Sequence, residues 1–369
     1  MIIAGEASGD IHGARLVSAM KGRNNDLHFC GIGGDALRDV GVEIIQNAST
    51  LAVVGITEVF SKVFSLIKGM AGAKRLLKSL KPGLLILIDF PDFNLKVAAT
   101  AKKLGIPVLY YISPQVWAWR QGRVKKIKKL VNHLAVILPF EEEFFIKHGV
   151  PVSYVGHPLL DGSLSPVKLN EKKDTPVVIG LLPGSRDSEI ARHLPVMLEA
   201  ASLIVKKMNR VKIAVSLAPT VEREYVEKII EKHRAYDYDI ISGGADQILK
   251  TCSLVVAASG TVTLEAAIAG IPMVIIYKVS PVSYRLGKAM IKVPNICLVN
   301  LIAGREIVPE LIQERATPDN IADEVLRILG DHDKIESMRK ELIGIRDLLG
   351  GSGASERVAD IAISMLTDE

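Results

Sequence analysis

The sequence predicts an α/β protein with two Rossmann-like domains, and three observations support this fold class. The chain has 369 residues, more than one ordinary hydrophobic core accommodates and a suitable length for two domains. Short β-rich segments alternate with longer helical segments, as in a parallel sheet with crossover helices. Each half also opens with a strand, a Gly/Ser loop and a helix, in IIAGEASGD and in VVIGLLPGSRDSE. We therefore expect two domains that face each other across a cleft.

The predicted elements follow one another along both halves, and a polar segment at 161–176 has the composition of an exposed linker. We expect one domain at 1–160 and a second at 177–345. Residues 346–369 are expected to form a helix that crosses back to the first domain or, in a homodimer, to the partner. The predicted strands are IIAG, LHFCGI, LLILID, VLYYIS, HLAVIL and VSYVG in the first half, and VVIGLL, VKIAVSL, YDIIS, SLVVAA and MVIIYK in the second.

Composition and charge exclude several functional classes. Aromatic residues make up only 5% of the chain, which argues against a nucleic-acid reader that stacks bases. The net charge of +5 is mildly basic and suits an anionic substrate or an anionic membrane surface. Cys30, Cys252 and Cys297 form no CxxC motif, which favours reduced thiols in a cytosolic protein. No signal peptide and no apolar run of about 20 residues is found.

The segment IDFPDFN at 88–94 places two acids after a continuous apolar strand. Asp92 precedes a predicted helix and has the chemistry of a helix cap, and Asp before Pro is common in turns. Ligands of open α/β sheets bind beyond the carboxyl ends of the strands, so Asp89 or Asp92 could instead act as a catalytic base. The residues alone leave both interpretations open.

Two turns in the second half have the features of phosphate-binding loops. In the first, Gly184 lets the chain turn, Ser185 and Arg186 offer donors, and a helix begins near Ser188. An ordinary strand-to-helix turn with a solvated Arg is the alternative.

The second turn is Ser259-Gly260-Thr261, which follows the strand SLVVAA and opens a helix. Glu265 lies about one turn into that helix, too far along for a capping box with Thr261 or Ser259. It could accept hydrogen bonds from both hydroxyls of a ribose while the turn holds a diphosphate. A surface Glu that favours the helix dipole is the alternative.

These segments together resemble the lipid A disaccharide synthase family. One departure is LVN at 298–300, where the family usually has Pro before the Asn. The resemblance extends from residue 5 to residue 314 and is carried by GEASGD, IDFPDFN, SPQVWAWR, LPFEEEF, VGHPLLD, LLPGSR, ASGTVTLE and NLIAGREIVPELIQE.

The resemblance implies the GT-B fold and an inverting glycosyltransferase that needs no metal or other cofactor. It implies transfer of 2,3-diacylglucosamine from its UDP derivative to 2,3-diacylglucosamine 1-phosphate. The expected products are the β-1,6-linked disaccharide 1-phosphate and UDP. The expected location is peripheral, at the cytoplasmic face of the bacterial inner membrane.

The resemblance also implies roles for individual residues. Asp92 is preferred as the base, with Asp89 in a supporting role or as the base itself. Arg186 and the helix end at Ser259–Thr261 would stabilise the departing UDP, as would Gly184 and Ser185. Glu265 would hold the ribose, and Asn300 would contact the pyrophosphate or the donor sugar. The expected acceptor-side residues are Glu6, Ser8, Gly9, Asp10 and Gln115.

The helical segment 58–77 carries an apolar stripe wider than one sheet face requires. We expect part of it to lie in the bilayer interface, with Phe64, Leu66 and Ile67 inserted. The basic segment RQGRVKKIKK at 120–129 could meet anionic lipid or the phosphate of the acceptor.

Two other functions compete with this one. A UDP-sugar 2-epimerase shares the fold class and binds UDP in the second domain, but it does not need the apolar helix near residue 60. A non-enzymatic sugar-binding module would not need acids at the strand ends or a phosphate-holding Arg, and it would normally carry an export signal.

Overall fold

The computed structural model describes residues 1–48, 59–119, 121–162, 165–167, 176–233, 236–280, 284–285 and 293–367, without the side chains of 59–66. The chain divides into two compact units. Unit 1 consists of Met1–Asp161 together with Leu349–Glu369, and unit 2 consists of Gly162–Leu348. Unit 1 is therefore assembled from the two ends of the chain.

Unit 1 is built on a parallel sheet that contains seven strands among the described residues, in the order β3-β2-β1-β4-β5-β6-β7. The order reverses between β1 and β4, and ligands of such sheets bind beyond the strand ends at this point. The strands are β1 Ile2–Ala4, β2 Cys30–Gly33, β3 Glu43–Asn47, β4 Leu85–Ile88, β5 Val108–Tyr111, β6 His133–Val136 and β7 Val152–Tyr154. The helices are α1 Ala7–Arg23, α2 Asp35–Asp39, α3 Val59–Leu80, α4 Pro91–Lys103, α5 Val124–Leu130, α6 Pro139–Lys147 and, at the end of the chain, α14 Ala354–Thr367.

Unit 2 repeats this design with six parallel strands in its described part, in the order β10-β9-β8-β11-β12-β13. Here the order reverses between β8 and β11. The strands are β8 Val177–Leu182, β9 Val211–Leu217, β10 Tyr238–Ser242, β11 Leu254–Ala258, β12 Met273–Tyr277 and β13 Glu310–Ile312. The helices are α7 Asp187–Lys207, α8 Arg223–Lys232, α9 Ala245–Leu249, α10 Thr261–Ile268, α11 Leu298–Ala303, α12 Pro318–Leu329 and α13 His332–Leu348.

The central strands explain why the sequence predicts this fold. Every residue of β4 and β11 is buried, because helices cover both faces of a parallel sheet and the strands need no polar alternation. The two-domain α/β prediction is thus confirmed. Two edge strands, β3 and β13, were missed, and both contain polar residues in place of an apolar run.

The C-terminal helix α14 packs against α1 within unit 1. Val358, Ala359 and Ala362 are fully buried in the same apolar cluster as Leu16 and Val17 of α1.

The carboxylate of Asp161 holds the start of α14. It accepts hydrogen bonds from the backbone N–H groups of Gly353, Ala354 and Ser355 at 2.7–3.0 Å and from Ser355 Oγ at 2.8 Å. These donors lower the pKa of Asp161 although partial burial opposes them. The end of unit 1's first segment is thereby fixed to its last helix.

Candidate active site

The turn after β4 has an unusual backbone. Asp89 and Phe90 have φ values of 43° and 49°, the left-handed region that residues other than Gly rarely occupy, and α4 begins directly afterwards at Pro91. The Phe90 ring lies against Gly5, where any side chain would collide with it. Strained conformations of this kind persist only where the surrounding structure fixes them, and they cluster at functional sites.

Asp89 has the electrostatics of a base that works near neutral pH. Its carboxyl is partly buried, and this burial, assisted by the nearby charge of Glu6, raises its pKa to about 6. The N–H of Phe90 donates a hydrogen bond to it and opposes the shift. A carboxylate with this pKa is ionised at neutral pH and accepts a proton more readily than an ordinary Asp.

Asp92, the preferred base from sequence, has a different environment. Its side chain is 75% exposed on the first turn of α4 and forms an ion pair with Arg123. This solvated, ion-paired carboxylate lacks the partly desolvated position that Asp89 has. The preference for Asp92 stays a prediction, while the burial and the raised pKa that suit a base are found at Asp89.

The other acceptor-side candidates from GEASGD divide into two groups. Glu6 and Ser8 are exposed at the start of α1, near the turn that carries Asp89. Gly9 is buried, and the Asp10 carboxylate accepts hydrogen bonds from the backbone N–H groups of Gly34 and of residues 36 and 37, at 2.6–3.4 Å. The acceptor-side role of Asp10 stays a prediction. In the structure its carboxylate binds the backbone N–H groups at the start of α2.

Gln115 lies exposed on the loop that follows β5, the strand next to β4. This loop is held by a residue that the sequence analysis missed, the buried Glu141. Its carboxylate accepts hydrogen bonds from Ser113 Oγ and Trp117 Nε1, both at 2.9 Å, and from two backbone N–H groups. Burial raises its pKa to about 6 although all four donors oppose the shift. Its position two residues after Pro139, at the start of a helix, was the available signal.

In unit 2, the turn after β8 is held closed by Glu189. Gly184 has a φ of 124°, which Gly alone adopts without strain. Glu189 accepts from Ser185 N and from Arg186 Nη1, both at 3.0 Å, and Ser185 and Arg186 are exposed. A bound diphosphate would compete with Glu189 for the Arg186 guanidinium.

A second missed residue, His193 of α7, connects two strand ends of unit 2. Burial lowers its pKa, so the ring is neutral at pH 7. Its Nδ1 lies 2.9 Å from the carbonyl oxygen of Pro183, and its Nε2 lies 3.1 Å from Lys278 N and 3.2 Å from Lys278 O. The turn that carries Arg186 is thereby braced against the end of β12.

The turn after β11 lies beside the turn after β8, because these two strands are paired. Gly260 and Thr261 are exposed at the start of α10, and Ser259 Oγ donates to the carbonyl oxygen of Ile296 at 3.4 Å. The sheet therefore brings the two predicted phosphate loops, with Arg186 on one of them, to the same edge.

Glu265 is partly buried on α10, and burial, followed by the charge of Asp246, raises its pKa. Hydroxyl groups of a ligand that donated to it would favour its ionised form and compensate for this burial. The arrangement suits the predicted contact with a ribose.

Asn300 is fully buried, and its amide is occupied by unit 2 itself. Its Nδ2 donates to Val308 O at 2.9 Å and to the buried Glu310 at 2.8 Å, while its Oδ1 accepts from the N–H groups of Ile307 and Val308. Its donor contact stays a prediction, and the structure assigns the side chain to the loop before β13.

The predicted membrane helix coincides with α3. Its later part packs into the core through Ala73 and Leu77, whereas Ile67 is 62% exposed. The side chains of Phe64 and Leu66 lie outside the described residues. Among the helices that the structure describes, none combines the length and apolarity that crossing a bilayer requires.

Comparison with protein families gives a match over nearly the whole chain. The family model described as lipid-A-disaccharide synthetase matches residues 1–360. The lipid-A-disaccharide synthases of Syntrophus aciditrophicus and Geobacter metallireducens are each 45% identical to this chain, over 99% of it and 97% of their own length.

Solved structures show the same fold at low sequence identity. The UDP-GlcNAc 2-epimerase of Neisseria meningitidis, bound to UDP-GlcNAc, has a TM-score of 0.66 at 11% identity and covers 97% of this chain and 98% of its own. MurG of Acinetobacter baumannii has a TM-score of 0.57 at 14% identity, over 99% and 98%. These likenesses establish the arrangement of elements that glycosyltransferases of the GT-B class share.

Proposed function

The chain belongs to the lipid-A-disaccharide synthetase family, and we propose that it transfers 2,3-diacylglucosamine from UDP-2,3-diacylglucosamine to 2,3-diacylglucosamine 1-phosphate. The products are the β-1,6-linked disaccharide 1-phosphate and UDP. The observation that carries the chemical part of this proposal is Asp89, a partly buried carboxyl with a pKa of about 6 at the end of a central strand.

In the proposed reaction, Asp89 accepts the proton of the acceptor's 6-hydroxyl while that oxygen forms a bond to C1 of the donor sugar. The bond between C1 and the diphosphate oxygen breaks on the opposite face, and its electron pair leaves with UDP. One displacement of this kind inverts the configuration at C1. A base whose pKa lies near the working pH suits this step, because it is ionised and still a good proton acceptor.

Unit 2 supplies the groups for the donor and the leaving group. The Arg186 guanidinium, released from Glu189, donates to the diphosphate with Gly184 and Ser185, and the positive end of α10 at Ser259–Thr261 adds to it. Glu265 accepts from the ribose hydroxyls. Negative charge develops on the diphosphate as the bond breaks, so these donors stabilise the transition state more than the ground state.

We propose peripheral contact with anionic lipid at the cytoplasmic face of the inner membrane, because both substrates carry acyl chains. The exposed Ile67 on α3 and the exposed lysines of α5 support this placement. These lysines are Lys125, Lys126, Lys128 and Lys129. A homodimer is also compatible with this proposal.

Liposome flotation tests the membrane contact. Ile67→Ser should reduce binding to vesicles that contain an anionic phospholipid, because an inserted apolar side chain is lost, while UDP binding is unchanged. Leu348→Ser, which changes an exposed Leu of α13, is the matched control. Equal binding of both variants and of the unchanged protein would contradict a role for Ile67.

The epimerase alternative has only the fold in its favour. The similarity to the Neisseria enzyme, at 11% identity, is too distant to carry an activity. The synthase relatives, at 45% identity over full length, favour group transfer.

An acceptor-dependence assay separates the two functions. The protein is incubated with UDP-2,3-diacylglucosamine, with and without 2,3-diacylglucosamine 1-phosphate, and UDP and the lipid product are quantified by mass spectrometry. A transferase releases UDP and forms the disaccharide only when the acceptor is present. Conversion of the donor to an epimer without acceptor would overturn the proposal.

A further inference from the structure

Two buried polar side chains converge on the main chain of the left-handed turn that carries Asp89. Asn94 Nδ2 donates hydrogen bonds to the carbonyl oxygens of Ile88 at 3.1 Å and of Asp89 at 2.6 Å. The hydroxyl of Tyr110 donates to the same Asp89 oxygen at 2.8 Å. The Asp89 carbonyl is thus held from α4 and from β5.

Neither residue is accessible to water, since Asn94 and Tyr110 are both 0% exposed. Burial raises the pKa of Tyr110 well above its usual value, so its hydroxyl keeps its proton and remains a donor. The main chain of the turn is also held by hydrogen bonds from Asp89 N to Tyr111 O at 3.3 Å and from Asn94 N to Phe90 O at 3.0 Å. Hydrogen bonds between groups this deeply buried are stronger than in water and make the structure around them more rigid.

We propose that Asn94 and Tyr110 are positioning residues that clamp Asp89 in its left-handed conformation and thereby aim its carboxylate at the acceptor hydroxyl. The inference rests on the proposed role of Asp89 as the base. Neither residue touches substrate in this account, and both act through the Asp89 main chain.

The backbone conformation of Asp89 determines where its carboxyl lies. Without the clamp, a non-Gly residue relaxes from the left-handed region to the favoured right-handed or extended regions. Such a change rotates the Cα–Cβ bond, so the carboxyl moves away from its partly buried place beside Glu6. Its pKa then falls toward that of a solvated Asp, because burial is the largest cause of the raised value. A weaker and misdirected base follows.

Tyr110→Phe tests the clamp with the least disturbance, because it removes one hydroxyl and keeps the buried ring. Tyr111→Phe is a matched control on the adjacent residue, whose ring belongs to the apolar cluster on the other face of the sheet. For Tyr110→Phe we expect kcat to fall about three- to tenfold, as for one lost hydrogen bond. KM for the UDP donor and UDP binding should not change.

The pH dependence of kcat gives a readout that a merely structural role would not move. In the unchanged protein the acidic limb should have an apparent pKa near 6, set by Asp89. In Tyr110→Phe this limb should move to lower pH, because the carboxylate becomes more solvated. Glu6 is the charged group that acts on Asp89, Asp92 and Arg123 act on Tyr110, and none of these three is altered in Tyr110→Phe.

Asn94→Asp provides a second test, because it keeps the size but loses the amide donor that faces two carbonyl oxygens. We expect a larger loss of kcat than for Tyr110→Phe, with far-UV circular dichroism confirming the fold. If Asn94→Asp does not fold, Tyr110→Phe still decides the question.

Two outcomes overturn the inference, and they are distinguishable. If Tyr110→Phe matches Tyr111→Phe in kcat and in its acidic limb while Asp89→Asn is inactive, the clamp is wrong and the base assignment stands. If Asp89→Asn transfers normally, the base assignment fails and the clamp loses its catalytic meaning with it.

Discussion

The turn after β4 in unit 1 and the turn after β8 in unit 2 both lie beside the point where the strand order of their sheet reverses, yet they are built in opposite ways. The first places Asp89 and Phe90, both with side chains, in the left-handed region that Gly usually fills. The second uses Gly184 at the positive φ and leaves Ser185 and Arg186 exposed. The difference reflects the chemical groups that each turn has to offer to a ligand.

A base must have one carboxyl in a fixed and partly desolvated position, so its turn requires a side chain at a strained residue. A phosphate site needs an open main chain and a mobile cation, so its turn uses Gly and a solvated Arg. The comparison agrees with the proposed division, in which the β4 turn transfers a proton and the β8 and β11 turns bind the nucleotide.

The strongest test exchanges the acid of the first turn. Asp89→Asn should lower kcat for disaccharide formation by about 10²- to 10⁴-fold, the usual contribution of a general base, while UDP still binds. Asp92→Ala, which removes an exposed acid three residues away, is the matched control and should keep most of the activity. UDP release in the presence of acceptor is the measurement. Normal turnover in Asp89→Asn with loss in Asp92→Ala would restore the preference drawn from sequence.

The second test addresses the turns of unit 2. Arg186→Ala and Glu265→Ala should each weaken UDP binding by about 1–3 kcal/mol, because each removes a charge-assisted hydrogen bond to the nucleotide. Isothermal calorimetry with UDP measures the effect. Arg223→Ala serves as the control, because it removes an exposed Arg that is paired with Glu227 on α8. Unchanged affinity in both test variants would remove unit 2 as the donor site.

The third test asks whether the partly buried carboxyl of Asp89 lowers the free energy of unfolding at neutral pH. Its pKa is about 6 in the folded protein and 3.8 in the reference state, so the unchanged protein loses stability as pH rises from about 3.8 through 6. Asp89→Asn avoids this loss and should be more stable at pH 7.5 by about 1–3 kcal/mol. The advantage should shrink at pH 4. Urea unfolding at both pH values gives the comparison, and an equal difference at the two would show that the carboxyl is not desolvated.

The two domains could be predicted because apolar runs in the sequence indicate buried strands. The hydrogen-bonding pattern of a strand leaves no comparable signal in the sequence. Apolar runs such as LLILID and SLVVAA must lie in the middle of a covered sheet, so the two central strands follow directly from the sequence. The edge strand Glu43–Asn47 has only two apolar residues between polar ones and gives no such signal. Pairing with β2, and not its own composition, makes it a strand.

The candidate site shows the same limit at single residues. Asp89 and Asp92 are the same amino acid three positions apart, and they differ in the hydrogen bonds that the Asp89 carbonyl accepts from Asn94 of α4 and Tyr110 of β5. Asn300 has the same amide whether it binds a sugar or closes a loop, so only its burial distinguishes the two. Turns at strand ends, such as PGSR, are recognised more easily, because Pro, Gly and Ser each favour turns for a reason of local geometry.

Because α14 belongs to unit 1, its position at the end of the chain determines when each unit can fold during synthesis. A ribosome produces the chain from its N-terminus, so all of Gly162–Leu348 emerges before the residues that complete the first unit. Unit 2 can therefore fold as one uninterrupted segment, while the α1 surface around Leu16 and Val17 waits for the last helix. A nascent chain arrested before Ala354 should display this apolar surface to chaperones even though its second unit is finished.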